Sequence, residues 1–510
     1  MRWSGMLIAA MLTMVPSAVL ARWYEASGDH FVVYADDNEK DLQRFAEQLE
    51  RYHKAMDLIT GSQSKRPSPS NRVTVYVVKN ETEVRRLAGK DASRWLLGFY
   101  LPRASGSIAI IPRVDAARGE TNESMQTLLH EYAHHFTIGS SAMVLPRWLS
   151  EGSAEYFSSV KFDADGGISI GRPANHRAAE LFYAKDVKVH DLLDPEQYEK
   201  RKKGDSYDAY YGKSWLLYHY LRHDPARKGQ LSTYMQKLAE GAPMVDAGKA
   251  AFGDFDALEK DVDRYLNGRR MLAYTLKPNM VPIGAVRLRP LAEGEAAIMD
   301  VRIRSKRGVD KEMAATVLVD ARAVAAKYPS DAAVQAALAE AEYDAGNDKE
   351  AIAAADKAIA ADPKQVDAYV QKGYALFRMA EDADDQAAAY KDARKPFVAL
   401  NKLENDHPLP LIYYYRSFAA QGKPPELAVQ GLERAVELAP FDMGLRFNLA
   451  QQYMRDNKMD YAKAMLKPVA YNPHGGSLAK MAQTMMNKID SGKATADDAD
   501  SAVGEEKSAE

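Results

Sequence analysis

The residues best equipped for chemistry lie in one nine-residue stretch, Leu128-Leu129-His130-Glu131-Tyr132-Ala133-His134-His135-Phe136. Three of the 11 histidines in a chain of 510 residues fall inside it. It reads His-Glu-x-x-His within an apolar, helix-like run. Residues four apart share a helical face, so His130 and His134 can offer two imidazoles to one metal ion. Glu131, one position on, can reach a water on that ion. A metal that acidifies water, beside a carboxylate able to take the proton, is the equipment of zinc-dependent hydrolysis. Such a zinc needs a third protein ligand and keeps its fourth position for water. The plain alternative is a pair of packed or capping histidines.

A candidate third ligand follows in Pro146-Arg147-Trp148-Leu149-Ser150-Glu151-Gly152-Ser153-Ala154-Glu155-Tyr156-Phe157. Pro146 suits the first turn of a helix, and Trp148, Leu149 and Phe157 can pin that helix to a core. Glu151 and Glu155 are four apart and share a face. His130-Glu131-x-x-His134 followed by Trp-Leu-x-Glu-Gly-x-Ala-Glu resembles the gluzincin peptidases, chiefly the peptidase-MA-like group and more distantly the aminopeptidase-N type. The resemblance implies Zn2+ held by His130, His134 and Glu151, with Glu131 as general base. It also implies Glu155 as the carboxylate that hydrogen-bonds a zinc histidine; a surface position is the other reading of Glu155.

Tyr207-Asp208-Ala209-Tyr210-Tyr211-Gly212-Lys213-Ser214 resembles the Tyr-x-Lys-Gly-aromatic segment of the aminopeptidase-N type. That likeness assigns Tyr211 as donor to the oxyanion, with Tyr210 the next candidate and aromatic packing the alternative. Ser214 departs from the family, which has glycine there. Gly212-Lys213-Ser214 is no phosphate loop, because position 207 is tyrosine where that loop needs glycine. His219 and His223 are four apart but have no matching carboxylate helix, so they read as polar positions on an amphipathic helix. Lys200-Arg201-Lys202-Lys203 reads as a solvated run, and nothing near it points to nucleic acid. The chain lacks the Gly-x-Met-Glu-Asn motif that grips a free amino terminus, which favours an endopeptidase over an aminopeptidase.

The elements that must position these groups are legible around them. Phe31-Val32-Val33-Tyr34-Ala35 and Arg72-Val73-Thr74-Val75-Tyr76-Val77-Val78 read as strands, with a helix-like segment from Glu39 to Leu58 between them. Gly106-Ser107-Ile108-Ala109-Ile110-Ile111-Pro112 reads as a third strand. In gluzincins an edge strand in that place pairs with extended substrate, which favours broad specificity; an ordinary core strand is the alternative. Residues 251–266 read as the last helices of the domain.

From about residue 309 the texture becomes Ala-rich and helix-forming, punctuated by prolines. Pro329 and Pro363 are 34 residues apart (363 minus 329), and Pro440 and Pro473 are 33 apart (473 minus 440). That period is the tetratricopeptide (TPR) one, and it predicts three to five such repeats, one of them stretched by residues 381–391. The fold expected is therefore an α+β zincin-like metallopeptidase domain followed by an all-α TPR-like solenoid. The expected divisions are a signal peptide over 1–21, the gluzincin-like domain over 22–275, a linker or β-hairpin over 276–308, repeats over 309–490, and a disordered acidic tail over 491–510.

Met1-Arg2, an apolar run from Met6 to Leu20 and Ala21-Arg22 describe a secretory signal, with a retained anchor disfavoured by Pro16 and the short run. With no cysteine there is no lipid-attachment site and no disulfide framework. A periplasmic protein is expected, with secretion to the medium the alternative. No second long apolar segment follows, and 46% hydrophobic residues supply ample core. The formal charge of -3 gives no reason to expect nucleic acid or an anionic surface as partner. The function expected is cleavage of envelope or exported proteins, the solenoid binding substrate or a partner. The alternative from another class is a TPR scaffold of the cell envelope with a structural or inactive zinc site.

Overall fold

The computed structural model describes residues 23–499, except 90–91, 95, 114–118, 141–143, 203–206, 269, 423, 473–474 and 497. The expected signal segment, 1–21, lies outside the described residues.

Ten strands occur among the described residues: β1 (Tyr24–Ser27), β2 (Phe31–Ala35), β3 (Val73–Val78), β4 (Phe99–Leu101), β5 (Ile108–Pro112), β6 (Gly119–Glu120), β7 (Val160–Phe162), β8 (Ile168–Ile170), β9 (Tyr274–Leu276) and β10 (Arg287–Pro290). Six of them form a mixed sheet in the order β10-β1-β2-β3-β5-β4. β2, β3 and β5 run parallel at its centre, and β1, β10 and β4 are antiparallel to their neighbours. All of β2 and β5 is buried, as expected of strands covered on both faces, whereas β1 alternates. The remaining four pair as β6-β7-β8-β9.

The strand nearest the motif corrects the sequence expectation. Ile108–Pro112 is interior, held between β3 and β4. The edge belongs to Phe99–Leu101, a three-residue strand too short to register as a periodic pattern.

Eleven helices accompany the sheets: α1 (Glu39–Thr60), α2 (Glu81–Ala88), α3 (Glu123–Ser140), α4 (Arg147–Ser158), α5 (Ala178–Tyr183), α6 (Val189–Leu193), α7 (Pro195–Arg201), α8 (Tyr210–His223), α9 (Gln230–Ala239), α10 (Met244–Phe252) and α11 (Phe255–Leu266). Leu42, Phe45, Leu49, Tyr52 and Met56 make one buried stripe on α1, at the three- and four-residue spacing of an amphipathic helix. Asn38 caps α1 by accepting from Asp41 N, and Gly61 ends it at φ 73°. Tyr52 donates to the Leu129 carbonyl at 3.0 Å, tying α1 to the turn of α3 that carries His130. Among the described residues, no helix is long and apolar enough to cross a membrane.

Beyond the sheets the chain is helical: α12 (Glu293–Ala297), α13 (Met299–Arg307), α14 (Lys311–Lys327), α15 (Ala332–Asp344), α16 (Asp348–Ala361), α17 (Val366–Glu381), α18 (Gln386–Leu403), α19 (Pro408–Ala419), α20 (Glu426–Leu438), α21 (Met443–Arg455), α22 (Met459–Ala470) and α23 (Ser477–Asp490). From α15 they pair into a solenoid-like array. Successive units begin 34 (366 minus 332), 42 (408 minus 366), 35 (443 minus 408) and 34 (477 minus 443) residues apart. The long unit is α17–α18, where the stretch of residues 381–391 was expected.

Residues 276–308 are not a hairpin. β10 joins the main sheet by pairing with β1, so that sheet draws on chain beyond residue 275. Residues 298–303 alternate in sequence yet are helical. Met299 and Ile303, four apart, pack on the sheet, while Ile298 and Val301 pack on α14 and α15. A helix wedged between two layers is apolar on two faces, and over six residues that imitates a strand. At the start of the expected tail, Ala499 is buried, and its carbonyl accepts from Gln451 at 2.8 Å. Residues 500–510 lie outside the described residues.

Candidate metal centre

His130 and His134 project from α3 toward Glu151 of α4, and these three residues form a group able to hold a metal ion. The two imidazole Nε2 atoms are 3.1 Å apart. Glu151 Oε2 lies 3.3 Å from that of His130 and 3.4 Å from that of His134. Three atoms each about 2.05 Å from a tetrahedral zinc stand roughly 3.3 Å from one another. Both Glu151 oxygens are buried without a hydrogen-bond partner, although the residue is fully enclosed. A buried carboxylate in that condition is stable only beside a positive charge. The donor set and its spacing fit zinc.

The outer nitrogens of the two rings are engaged. Glu155, one turn beyond Glu151 on α4, places Oε1 3.1 Å from His130 Nδ1. A carboxylate only accepts, so Nδ1 carries a proton, and Nε2 is the nitrogen facing Glu151 and His134 that a metal would take by displacing its proton. His134 Nδ1 lies 3.2 Å from Ser150 Oγ, a hydroxyl that can accept from it or donate to it. Glu155 in turn accepts from His176 Nε2 at 2.6 Å and from the Arg177 guanidinium at 2.5 Å. His176 and Arg177 lie in a short turn before α5. Nothing in their sequence neighbourhood signals a role, because their relation to Glu155 comes from chain reversal through β7 and β8 and from no periodicity.

The electrostatics agree. Burial would lower the pKa of His130, but Glu155 and Glu151 more than reverse this and raise it to about 10. Burial prevails at His134 and lowers it. Burial acts to raise both carboxyls, yet the imidazoles hold Glu151 well below the usual carboxylate range, and His130, His176 and Arg177 do the same for Glu155. The pocket therefore favours positive charge between its three inner ligands.

The close approach of α4 to α8 sets the position of Glu151. A Cβ on Gly152 would stand 2.4 Å from the Ser214 carbonyl oxygen and 2.7 Å from its carbon. Only glycine allows the two backbones so near. Trp148, fully buried, anchors the start of α4 and donates to Tyr234 at 3.3 Å.

The other candidates are placed as follows. Glu131 is half-buried, and its charge is felt by His134 and by Tyr100 of the edge strand. Tyr100 itself is held by His135 Nδ1 at 2.5 Å from its hydroxyl. Tyr211, at the start of α8, is partly exposed with Arg177 5.0 Å from its ring centre; burial and the nearby Glu151 raise its pKa. Tyr210 is buried against Tyr198 with the Arg147 guanidinium over its ring, a packing position. Lys213 is committed to Glu259 at 2.7 Å and Asp263 at 3.2 Å. His219 bonds the Gly171 carbonyl and Tyr265, and His223 bonds Tyr156, so both are structural.

Residues 124–245 match a family described as "Protein of unknown function (DUF1570)", a span that takes in α3, α4 and α8. No curated protein matches the chain. Among solved structures it is similar to that of a thermophilic TPR protein from Thermus thermophilus, at 17% identity and a TM-score of 0.32, covering 38% of this chain and 98% of that one.

Proposed function

We propose that this chain is a zinc metallopeptidase of gluzincin type, an endopeptidase that cleaves exported or envelope proteins in the periplasm. The observation that carries the reading is the trio of ligand atoms 3.1–3.4 Å apart with a glutamate next to the first histidine. A purely structural zinc site has no use for Glu131; this favours the enzyme over a scaffold with a structural or inactive site.

His130, His134 and Glu151 would hold the zinc, which would supply Lewis acidity to a scissile carbonyl and to water. Glu131 takes the proton released and passes it to the leaving amine. Tyr211 donates to the oxygen on which negative charge develops, its ring held by the Arg177 guanidinium, which is itself paired with Glu155 and Glu180. Glu155, held by His176 and Arg177, fixes the His130 ring and strengthens it as a ligand. Substrate lies extended along β4, whose outer edge has no strand partner among the described residues and whose Tyr100 borders the helix of Glu131. The solenoid binds substrate or a partner protein on its curved face.

The test is metal analysis together with a peptide-library digest. The purified protein should carry about one zinc and cleave internal peptide bonds. Glu131→Gln should keep the zinc and lose cleavage; activity persisting in that variant rejects the mechanism.

A further inference from the structure

A second site lies away from the zinc ligands, in a cavity of about 300 Å³ between the main sheet and the solenoid. β3 contributes Tyr76, α13 contributes Arg302 and Lys306, and α15 and α17 close the other side. Its charges are unevenly matched. Lys306 pairs with Glu340 at 3.2 Å and Asp367 at 3.1 Å. Arg302 lies 3.8 Å from Asp367 with its guanidinium over the Tyr34 ring. Arg103, on the sheet side, donates to the Lys306 and Arg307 carbonyls. Among the described residues, Asp344 has no cation within ion-pair distance, though Lys306 and Arg378 act on it from further away. Its Oδ2 is buried without a close hydrogen bond, the Ser305 hydroxyl being its nearest donor, and burial together with Glu340 raises its pKa to about 7 against the lowering influence of Ser305, Lys306 and Arg378.

Beside it stands a second acceptor in the same condition. Gln371 is 3% exposed, lines the same cavity, and its Oε1 has no hydrogen-bond partner. Leaving a buried acceptor unpaired costs about 1–3 kcal/mol, so two in one cavity mark a place where donors belong. The Tyr343 and Tyr374 rings, 5.6 Å apart, form the adjoining wall; the Arg378 guanidinium lies over Tyr343 at 4.0 Å, which leaves Tyr374 as the aromatic surface for a ligand. One carboxylate oxygen without an ion-pair partner, one amide oxygen and the Tyr374 ring suit an organic cation. They do not suit a divalent metal, which needs several oxygen ligands.

We infer that this cavity binds an aliphatic primary ammonium group, held by Asp344 and Gln371 against the tyrosine wall. The group belongs either to a small amine or to an amino group of a peptide. Because its walls come from both halves of the chain, occupancy also fastens the solenoid to the sheet. The inference does not depend on the zinc reading.

Calorimetric titration of the full-length protein with pentylamine tests it, with 1-pentanol and calcium as controls. Pentylamine should bind saturably with a Kd on the order of 1 mM or tighter, and pentanol should not. Asp344→Asn should weaken binding at least about tenfold. That variant removes a buried, unpaired carboxylate, so its unfolding midpoint should equal or exceed that of the wild type. Gln371→Leu, a second variant, should weaken binding less. Displacement of pentylamine by a tripeptide with a free amino terminus, but not by its acetylated form, assigns the ammonium to peptides; no displacement by either assigns it to small amines. Absence of saturable pentylamine binding, equal binding to Asp344→Asn, or calcium competing for the site overturns the inference.

Discussion

Gly152→Ala probes the contact that positions the third ligand. The added Cβ would meet the Ser214 carbonyl at 2.4 Å, and ordinary contact begins at 3.4 Å, so α4 and α8 must part by about 1 Å (3.4 minus 2.4). Neither side can yield by rotating a side chain, because the obstruction is backbone. Overpacking of this kind costs about 3 kcal/mol, and the better helix propensity of alanine returns about 1 kcal/mol, leaving a net loss of about 2 kcal/mol. Glu151 is adjacent and must move with its helix. Zinc ligands tolerate displacement of only about 0.2 Å, so the shift should weaken zinc by about 100-fold or more.

Urea unfolding with chelator and with excess zinc separates the two effects. The chelated variant reports the packing loss, and the zinc-dependent increment reports the affinity. Gly139→Ala is the control: Gly139 is exposed on α3 with nothing near its would-be Cβ, and should gain up to about 1 kcal/mol. A Gly152→Ala protein with unchanged midpoint and unchanged zinc increment would refute the claim that the α4–α8 approach sets the site.

Three further outcomes are expected. His176→Ala leaves the three proposed zinc ligands in place but removes one partner of Glu155; zinc affinity should fall about 10- to 100-fold by competition with a chromophoric chelator, and wild-type affinity would dismiss its positioning role. Glu155→Gln should weaken zinc by at least as much, because it removes the charge that His130 Nδ1, His176 and Arg177 all face; a smaller loss than with His176→Ala would contradict the arrangement. Stability should fall on acidification through His219 and His53, which burial lowers to about 4 and about 2. The unfolded chain binds protons near pH 6.5 where the folded one does not, so this contribution is complete above that pH and is lost as pH falls toward 4. At His219 alone the loss is about 3 kcal/mol, read as a declining urea midpoint between pH 7 and 4; a flat profile refutes it.

What could be read along the chain was whatever depends on short spacing. The shared face of His130 and His134 follows from helical geometry, and so does that of Glu151 and Glu155. β2, β3 and α1 follow from local patterning, and the repeats follow from prolines one period apart. Four features were beyond such reading. Which strand takes the edge depends on pairing order, so the edge falls to Phe99–Leu101, which has no pattern of its own, and not to Ile108–Pro112. The segment around Met299 and Val301 is apolar for two different neighbours, which no single periodicity encodes. Ala499 is buried only because α21 offers it a surface and a donor. His176 and Arg177 reach Glu155 through chain reversal.

Gly152 shows the division most clearly. Its place beside Glu151 is plain in the sequence, but the reason for it is the Ser214 carbonyl of another helix. Local order is set by bonds and side chains a few residues apart; the convergence of α3, α4 and α8 on one point is decided by how large side chains such as Trp148 and Tyr156 fill the space between them, and that filling is a property of the packed chain as a whole.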